Sequence, residues 1–312
     1  MIDPKVVSRT GPEAARSKRP SVILGLIRAC RPKQWTKNGL VFFGLIFALK
    51  LTDPHLVLRA VAAFAVFCAA SSGVYLFNDL ADSENDRQHP KKMHRPLAAR
   101  VILPVHAIVL GVVLFVGAVA GGFALGTTFG LLTVLYIVLT SAYSIRLKHV
   151  VLIDAFVLAA GFVIRAAAGA IVVNVPISPW LYVCTVLASL FLALGKRRSE
   201  IVTLSHDAKH HRKILDEYSI PLLDQLIVIV TSATVMAYSL YTFSAENLPA
   251  DHSMMLTIPF VLYGLFRYMY LMHLRSGGGS PEDALLGDPP LLTSAVLWMV
   301  TAVMILYLGR IR

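Results

Sequence analysis

Asn78, Asp79, Asp82 and Asp86 stand in the stretch NDLADSENDRQHPKKMHRPLAAR, directly after the apolar run LRAVAAFAVFCAASSGVYLF. If the helix of that run continues through them, the four residues fall at about 0°, 100°, 40° and 80° around its axis. One arc at a membrane boundary then carries an amide and three carboxylates. Oxygen ligands of this kind suit Mg2+, which keeps several waters and completes its octahedron with substrate phosphates. Without a cation the carboxylates repel one another and raise one another's pKa. A single aspartate here would read as an interfacial residue solvated by its loop. Four oxygen ligands in one arc read as a site, because acids within a membrane are costly and mark function. Asn78, Asp82 and Asp86 are the expected metal ligands, with Asp79 beside them toward the substrate. His89 and His94 read as solvated loop residues. Pro90 and Pro96 end the helix by about His89 and begin a rigid basic loop.

Three further clusters lie at matching positions. YSIRLKHVVLID runs from Tyr143 to Asp154, with the cations Arg146 and Lys148 ahead of the acid. Arg165 follows in FVIRAAAG, deep in an apolar segment. An arginine at that depth should face a protein cavity, paired with an acid such as Asp154 or with an anionic ligand. Helical spacing gives Asp154 the same face but sets it about three turns away. GKRRSE at 195–200 places Lys196 and Arg197 either as phosphate donors or as topology determinants. CRPKQWTKNG brings Lys33, Gln34 and Lys37 to the boundary, with Trp35 suited to an interfacial anchor.

These clusters need a scaffold, and the composition says which. The 312 residues are 56% hydrophobic and 15% charged, with a mean hydropathy of +0.68, against about 25% charged in an ordinary soluble domain. The chain therefore reads as an all-α integral membrane bundle. Segments able to cross about 30 Å of hydrocarbon lie near 38–51, 56–78, 101–119, 122–142, 150–173, 179–195, 219–243, 253–273 and 290–309. About nine transmembrane helices are expected, forming one domain over 38–312. Residues 1–37 are polar and basic, without the apolar core and cleavage site of a signal peptide.

Lysines and arginines gather before 38 and at 87–100, 146–148 and 196–213, while the alternate connections hold almost none. The positive-inside rule then puts the N-terminus and all four clusters in the cytoplasm and sends the tail 309–312 outside. The formal charge of +11 is read as topology plus attraction to the anionic lipid bilayer. No basic, aromatic-interleaved motif suggests nucleic acid. Cys30, Cys68 and Cys184 are isolated and read as packing residues, with neither disulfides nor a zinc site.

The NDxxDxxxD pattern of Asn78, Asp79, Asp82 and Asp86, closing span two of a nine-span bundle, resembles the UbiA superfamily of membrane prenyltransferases. The resemblance implies that these residues bind Mg2+ and the diphosphate of a donor. Aromatic prenyltransferases of that superfamily carry a second acidic motif after span six. Here Glu200, Asp207, Asp216 and Glu217 have other spacings, amid cations. RPKQWTKN, YSIRLKHVVLID, IRAAAG and GKRRSE instead resemble the branch that makes decaprenyl-phosphate phosphoribose. That branch moves 5-phosphoribose from phosphoribosyl diphosphate (PRPP) to a polyprenyl phosphate, with a second motif matching Tyr143 and Lys148.

One acidic cluster facing several basic ones suits three anionic groups: a leaving diphosphate, a ribose phosphate and a lipid phosphate. On this reading Asp82, Asp86, Lys148 and Tyr143 are catalytic. Lys33, Gln34, Lys37, Asp79, Arg165, Lys196 and Arg197 bind substrate. The enzyme would work from the cytoplasmic face of the inner (plasma) membrane toward a lipid-linked arabinose precursor, and a homo-oligomer is compatible with the sequence. Transfer of an isoprenyl chain to an aromatic acceptor is the alternative enzyme. A transporter would place its acids near the midplane in paired broken helices, not at one face.

Overall fold

A computed structural model describes residues 21–88, 92–204, 217–245, 248–274 and 281–308. The expected helix end at His89, the acids Asp207 and Asp216, and the tail 309–312 lie outside the described residues. Helix starts follow local chemistry. Proline, whose missing N–H is no loss in a first turn, opens α3 (Pro54–Ala81), α5 (Pro104–Leu125), α8 (Pro179–Leu204) and α12 (Pro289–Leu308). Asp53 Oδ1 caps α3 by accepting from the N–H groups of His55 and Leu56 at 3.0 and 3.3 Å. Asp288 Oδ1 accepts from Leu291 N–H at 3.0 Å in α12. The remaining helices are α1 (Val22–Ala29), α2 (Phe42–Phe47), α4 (Ser83–Gln88), α6 (Thr127–Ile145), α7 (Ile153–Val172), α9 (Ile220–Ser244), α10 (Ile258–Leu274) and α11 (Pro281–Gly287).

Among the described residues there is no strand, and eight helical segments are long and apolar enough to cross a membrane. This is the expected multi-pass bundle. α3 and α7 are the most enclosed, with α3 packed on α5 and α8 packed between α7 and α9. The apolar residues left exposed, such as Val109, Val113 and Val116 on α5, follow helical spacing along one face and suit lipid.

The ninth expected crossing, near 38–51, takes a different form. A ten-residue 3-10 helix, Pro32–Val41, runs into the six-residue α2. The greater rise of the 3-10 form lets those residues cover about 29 Å, roughly the hydrocarbon thickness. Its two ends are fixed to opposite ends of the bundle. Arg31 pairs with Asp79 at the end of α3, and Leu51 N–H donates to Tyr307 Oη at 3.1 Å near the end of α12. The segment lies against α7 with its backbone almost in contact. A Cβ on Gly169 would sit 2.1 Å from the Val41 carbonyl oxygen, and one on Gly44 would sit 2.7 Å from the Ala170 backbone.

Arg59, a cation at the end with few of them, has a local task. Its Nε donates to Val172 O at 2.9 Å and its Nη2 to Leu125 O at 2.6 Å. It thereby supplies donors to carbonyls that the ends of α7 and α5 leave unpaired.

Gly169→Ala is expected to destabilise the bundle by about 1–3 kcal/mol, because the added methyl meets a main-chain oxygen that cannot step aside. Gly117→Ala, where nothing lies within 4 Å of the added atom, is the control. Thermal melting of both variants in detergent checks the contact, and equal midpoints would contradict it.

Candidate functional site

The acidic arc forms where α3 gives way to α4. Asp82 interrupts the helix at φ −90°, ψ 1°. The helical bonding carries across it: Asp82 N–H donates to Asn78 O, and Asp86 N–H to Asp82 O, each at 2.9 Å. Asn78, Asp82 and Asp86 therefore remain one turn apart in register, as the spacing predicts. The chain does not present the carboxylates of Asp79, Asp82 and Asp86 as three free groups.

Asp79 and Asp86 are buried, and both are taken by arginine. Arg31 Nη2 donates to Asp79 Oδ1; Arg95 Nη1 reaches the same oxygen at 3.1 Å and Asp86 Oδ2 at 2.6 Å. The guanidinium of Arg31 also lies 4.8 Å from the centre of the Tyr75 ring. Asp82 is the accessible member, its side chain 35% exposed, with Lys148 Nζ at 3.9 Å from Oδ2. Among the described residues no three carboxylate, histidine or cysteine side chains converge as a metal cage. The donor set nonetheless fits Mg2+. Hard oxygens stand on successive turns with one carboxylate open, and this metal takes one or two carboxylates and fills its shell with water and phosphate oxygens.

Facing this arc, the ends of α6, α7 and α8 meet around Arg197. Its side chain is fully enclosed. It pairs through Nε with Asp154 and through Nη1 with Glu200, and its Nη2 donates to Tyr143 Oη at 2.7 Å. The other Asp154 oxygen accepts from Tyr218 Oη at 2.6 Å, and Tyr218 Oη accepts in turn from Leu152 N–H at 2.7 Å. Burial, and then the bond to Asp154, push the Tyr218 phenol above its usual range, so it remains a proton donor.

Arg197 is thus not a phosphate donor with an open edge. Two carboxylates claim it, because Asp154 at a buried helix start requires a cation. Arg198, beside it, reaches Met272 O at 2.8 Å and Asp224, tying α8 to α10 and α9. Lys196 is half-buried.

Arg165 has partners other than the expected acid or anion. Nε donates to Asn38 Oδ1 at 2.7 Å, Nη1 to Gly161 O at 2.7 Å and Nη2 to Tyr136 Oη at 2.6 Å. Its guanidinium lies 4.7 Å from the centre of the Tyr136 ring. These partners are neutral, and Asp154 is occupied by Arg197. Arg165 therefore fastens the 3-10 helix to α7 through Asn38, which itself donates to Ser71 Oγ at 3.4 Å in α3. Trp35, expected as an interfacial anchor, donates from Nε1 to Ser72 Oγ at 3.1 Å and holds the same segment. Lys33 is exposed on it, while Gln34 and Lys37 are half-buried.

A cavity of about 580 Å³ opens between α2, α7 and α8, lined by residues such as Phe43, Phe47, Val163, Ala170 and Leu181. It lies toward the end of the bundle opposite the acids and its lining is mainly apolar.

Sequence reasoning missed Arg31, Arg95 and Tyr218. Both arginines were visible as cations next to prolines, but nothing in their spacing marks them as partners of Asp79. Tyr218 carries no motif at all.

The profile of the UbiA prenyltransferase family matches residues 39–282. Two relatives are named decaprenyl-phosphate phosphoribosyltransferase. That of Mycobacterium tuberculosis is 33% identical over 286 residues, 90% of this chain and 94% of the relative. That of Corynebacterium glutamicum is 33% identical over 291 residues, 91% of this chain and 87% of the relative. Among solved structures, a UbiA homologue of Archaeoglobus fulgidus bound to GPP and Mg2+ superposes with a TM-score of 0.70 at 16% identity, covering 91% of this chain and 99% of that one. At that identity the superposition speaks for the fold alone.

Arg197→Gln leaves Asp154 buried without its cation and is expected to cost about 3–5 kcal/mol. Arg197→Gln combined with Asp154→Asn removes both charges and should recover part of that loss. A double-mutant cycle on denaturation in detergent measures the coupling, and additive effects would contradict the pairing.

Proposed function

The chain belongs to the UbiA prenyltransferase family, and from that premise we propose that it transfers 5-phosphoribose from PRPP to a polyprenyl phosphate, releasing diphosphate. The relatives' shared name supports a membrane-embedded transferase acting on a prenyl phosphate. The observation that carries the finer reading is the charge pattern at one end of the bundle. The acid arc of α3 and α4 is faced by Lys148, whereas Asp154 and Glu200 opposite it are both engaged by Arg197. A second acidic metal cluster, as two-motif prenyltransferases use, has no free carboxylate among these residues. A set of cations around one acidic arc suits a reaction with several phosphates.

Asn78, Asp82 and Asp86 would hold Mg2+. When bound, this ion neutralises the diphosphate and makes it a competent leaving group. Lys148, beside Asp82, is placed to hold a phosphate at the edge of the arc. Tyr143 accepts from Arg197, which leaves its own O–H directed away from that guanidinium and available to a phosphate oxygen. Lys33, Gln34 and Lys37 lie on the segment that Arg31, Trp35 and Asn38 fasten to α3 and α7, and they complete the donor side. Lys196 is the cation of the GKRRSE turn assigned to substrate. Arg165 and Arg197 serve as positioning residues.

The lipid phosphate is already anionic near neutral pH, so attack at ribose C1 needs no general base. Positive charge grows at C1 as the diphosphate departs, so the site must keep water from competing with the lipid phosphate. The polyprenyl tail lies between apolar helices, with the cavity beside α2 and α7 as a seat for part of it. The cations at the acidic end support a cytoplasmic position for that end, at the plasma membrane, by the positive-inside rule.

Purified protein with Mg2+, PRPP and a polyprenyl phosphate is expected to yield lipid-linked phosphoribose. Asp82→Ala should lower turnover by about two orders of magnitude, the scale of losing a few kcal/mol of transition-state stabilisation. Wild-type turnover in that variant would remove the metal assignment. Consumption of an isoprenyl diphosphate with a phenolic acceptor, and none of PRPP, would replace the substrate pair.

A further inference from the structure

Arg95 has no role in the reaction outlined above, yet its guanidinium occupies the acids that the reaction needs. One nitrogen, Nη1, bridges Asp79 Oδ1 at 3.1 Å and Asp86 Oδ2 at 2.6 Å. Each of these carboxylate side chains is 3% exposed. Asp79 has a second cation in Arg31. Among the described residues Asp86 is paired with Arg95 alone. If Arg95 leaves, Asp79 stays neutralised and Asp86 becomes a buried carboxylate without a counter-ion, which is strongly unfavourable until another cation arrives.

Among the described residues, the paired charges of the arc therefore cancel. Asp79, Asp82 and Asp86 face Arg31, Arg95 and Lys148, and the accessible pair, Asp82 with Lys148, is the loosest at 3.9 Å. A bare divalent cation entering this arc meets no net attraction and must displace a guanidinium into a region already rich in cations. A divalent cation carrying a diphosphate brings its own negative charge, and the displaced guanidinium then has phosphate oxygens to bind, the group it recognises best.

The base of the Arg95 loop is fixed. Arg95 N–H donates to Lys92 O at 2.9 Å and Ala99 N–H to Arg95 O at 2.8 Å, while Leu97, Ala98 and Ile102 are buried. The side chain, 26% exposed, is the part able to change partner.

We propose that Arg95 is an exchangeable counter-ion. It closes Asp86 against a free divalent cation, and it passes from Asp86 to the donor's diphosphate when metal and diphosphate arrive together. The inference rests on the assignment of Asn78, Asp82 and Asp86 to the metal.

The test is binding, not turnover, on the full-length protein in detergent, with Mn2+ as probe and inorganic pyrophosphate as the diphosphate. Arg95→Gln is expected to bind Mn2+ alone about tenfold more tightly than wild type, since the state competent for metal no longer has to expel a guanidinium. The same variant should bind Mn2+ with pyrophosphate about tenfold more weakly, having lost a phosphate ligand. A merely structural Arg95 would weaken both, and a simple phosphate ligand would leave the affinity for Mn2+ alone unchanged; either result overturns the proposal. Arg95→Lys keeps a cation without the planar fork and should move both affinities in the same directions by about threefold, so the result does not depend on one variant folding. Wild-type binding of Mn2+ with pyrophosphate by Asp82→Ala would overturn the metal assignment itself, whereas an unchanged Mn2+ affinity in the Arg95 variants overturns the exchange alone.

Discussion

A charged side chain inside a bilayer must find its counter-charge within the protein, because no water is present to solvate it. Asp154 and Arg197, both fully enclosed, meet that requirement for each other. Their pair sits where α7 begins and α8 ends, and Tyr143 at the end of α6 and Tyr218 just before α9 complete its bonding. Four helix ends are thereby held at one level. Lys148, in the turn between α6 and α7, owes its place beside Asp82 to that arrangement.

The same demand explains the opposing half. Asp79 and Asp86 are drawn into the bundle where α3 passes into α4, and arginines from two separate segments follow them: Arg31 ahead of the 3-10 helix and Arg95 beyond α4. Arg165, deeper in α7, solves its burial with three neutral acceptors and an aromatic face. By doing so it fixes Asn38 and the first membrane segment. Cations that the positive-inside rule treats as orientation signals are here also the bolts of the bundle. Lys148, 3.9 Å from Asp82, is the most loosely held of these charges.

The division between one acidic arc and a basic surround narrows the chemistry. Arg197 is enclosed by Asp154, Glu200 and Tyr143, and Arg165 is held by Asn38, Gly161 and Tyr136, so both guanidinia act within the protein as fasteners of the helix ends. What remains is a shallow arc of oxygen ligands at the bundle end, and an apolar cavity near the other end. In the proposed reaction the arc serves the donor's diphosphate through a metal, and the apolar cavity suits part of a hydrocarbon tail.

Much of this was legible in one dimension. Hydropathy located eight long spans, because a helix in lipid must be apolar for its whole crossing. The four-residue spacing of Asn78, Asp82 and Asp86 located the arc, since helical geometry turns sequence spacing into direction. The segment expected near 38–51 is a 3-10 helix, Pro32–Val41, followed by the short α2, and the close approach of Gly44 and Gly169 to the facing backbone sets it against α7. The pairings of the charges were decided by tertiary structure alone. Arg31 meets Asp79, Arg197 meets Asp154 and Arg165 meets Asn38 across long separations in the chain. A long flexible cation reaches whichever acid the packed helices bring near it, and that proximity is a property of the helix arrangement, which no local spacing encodes.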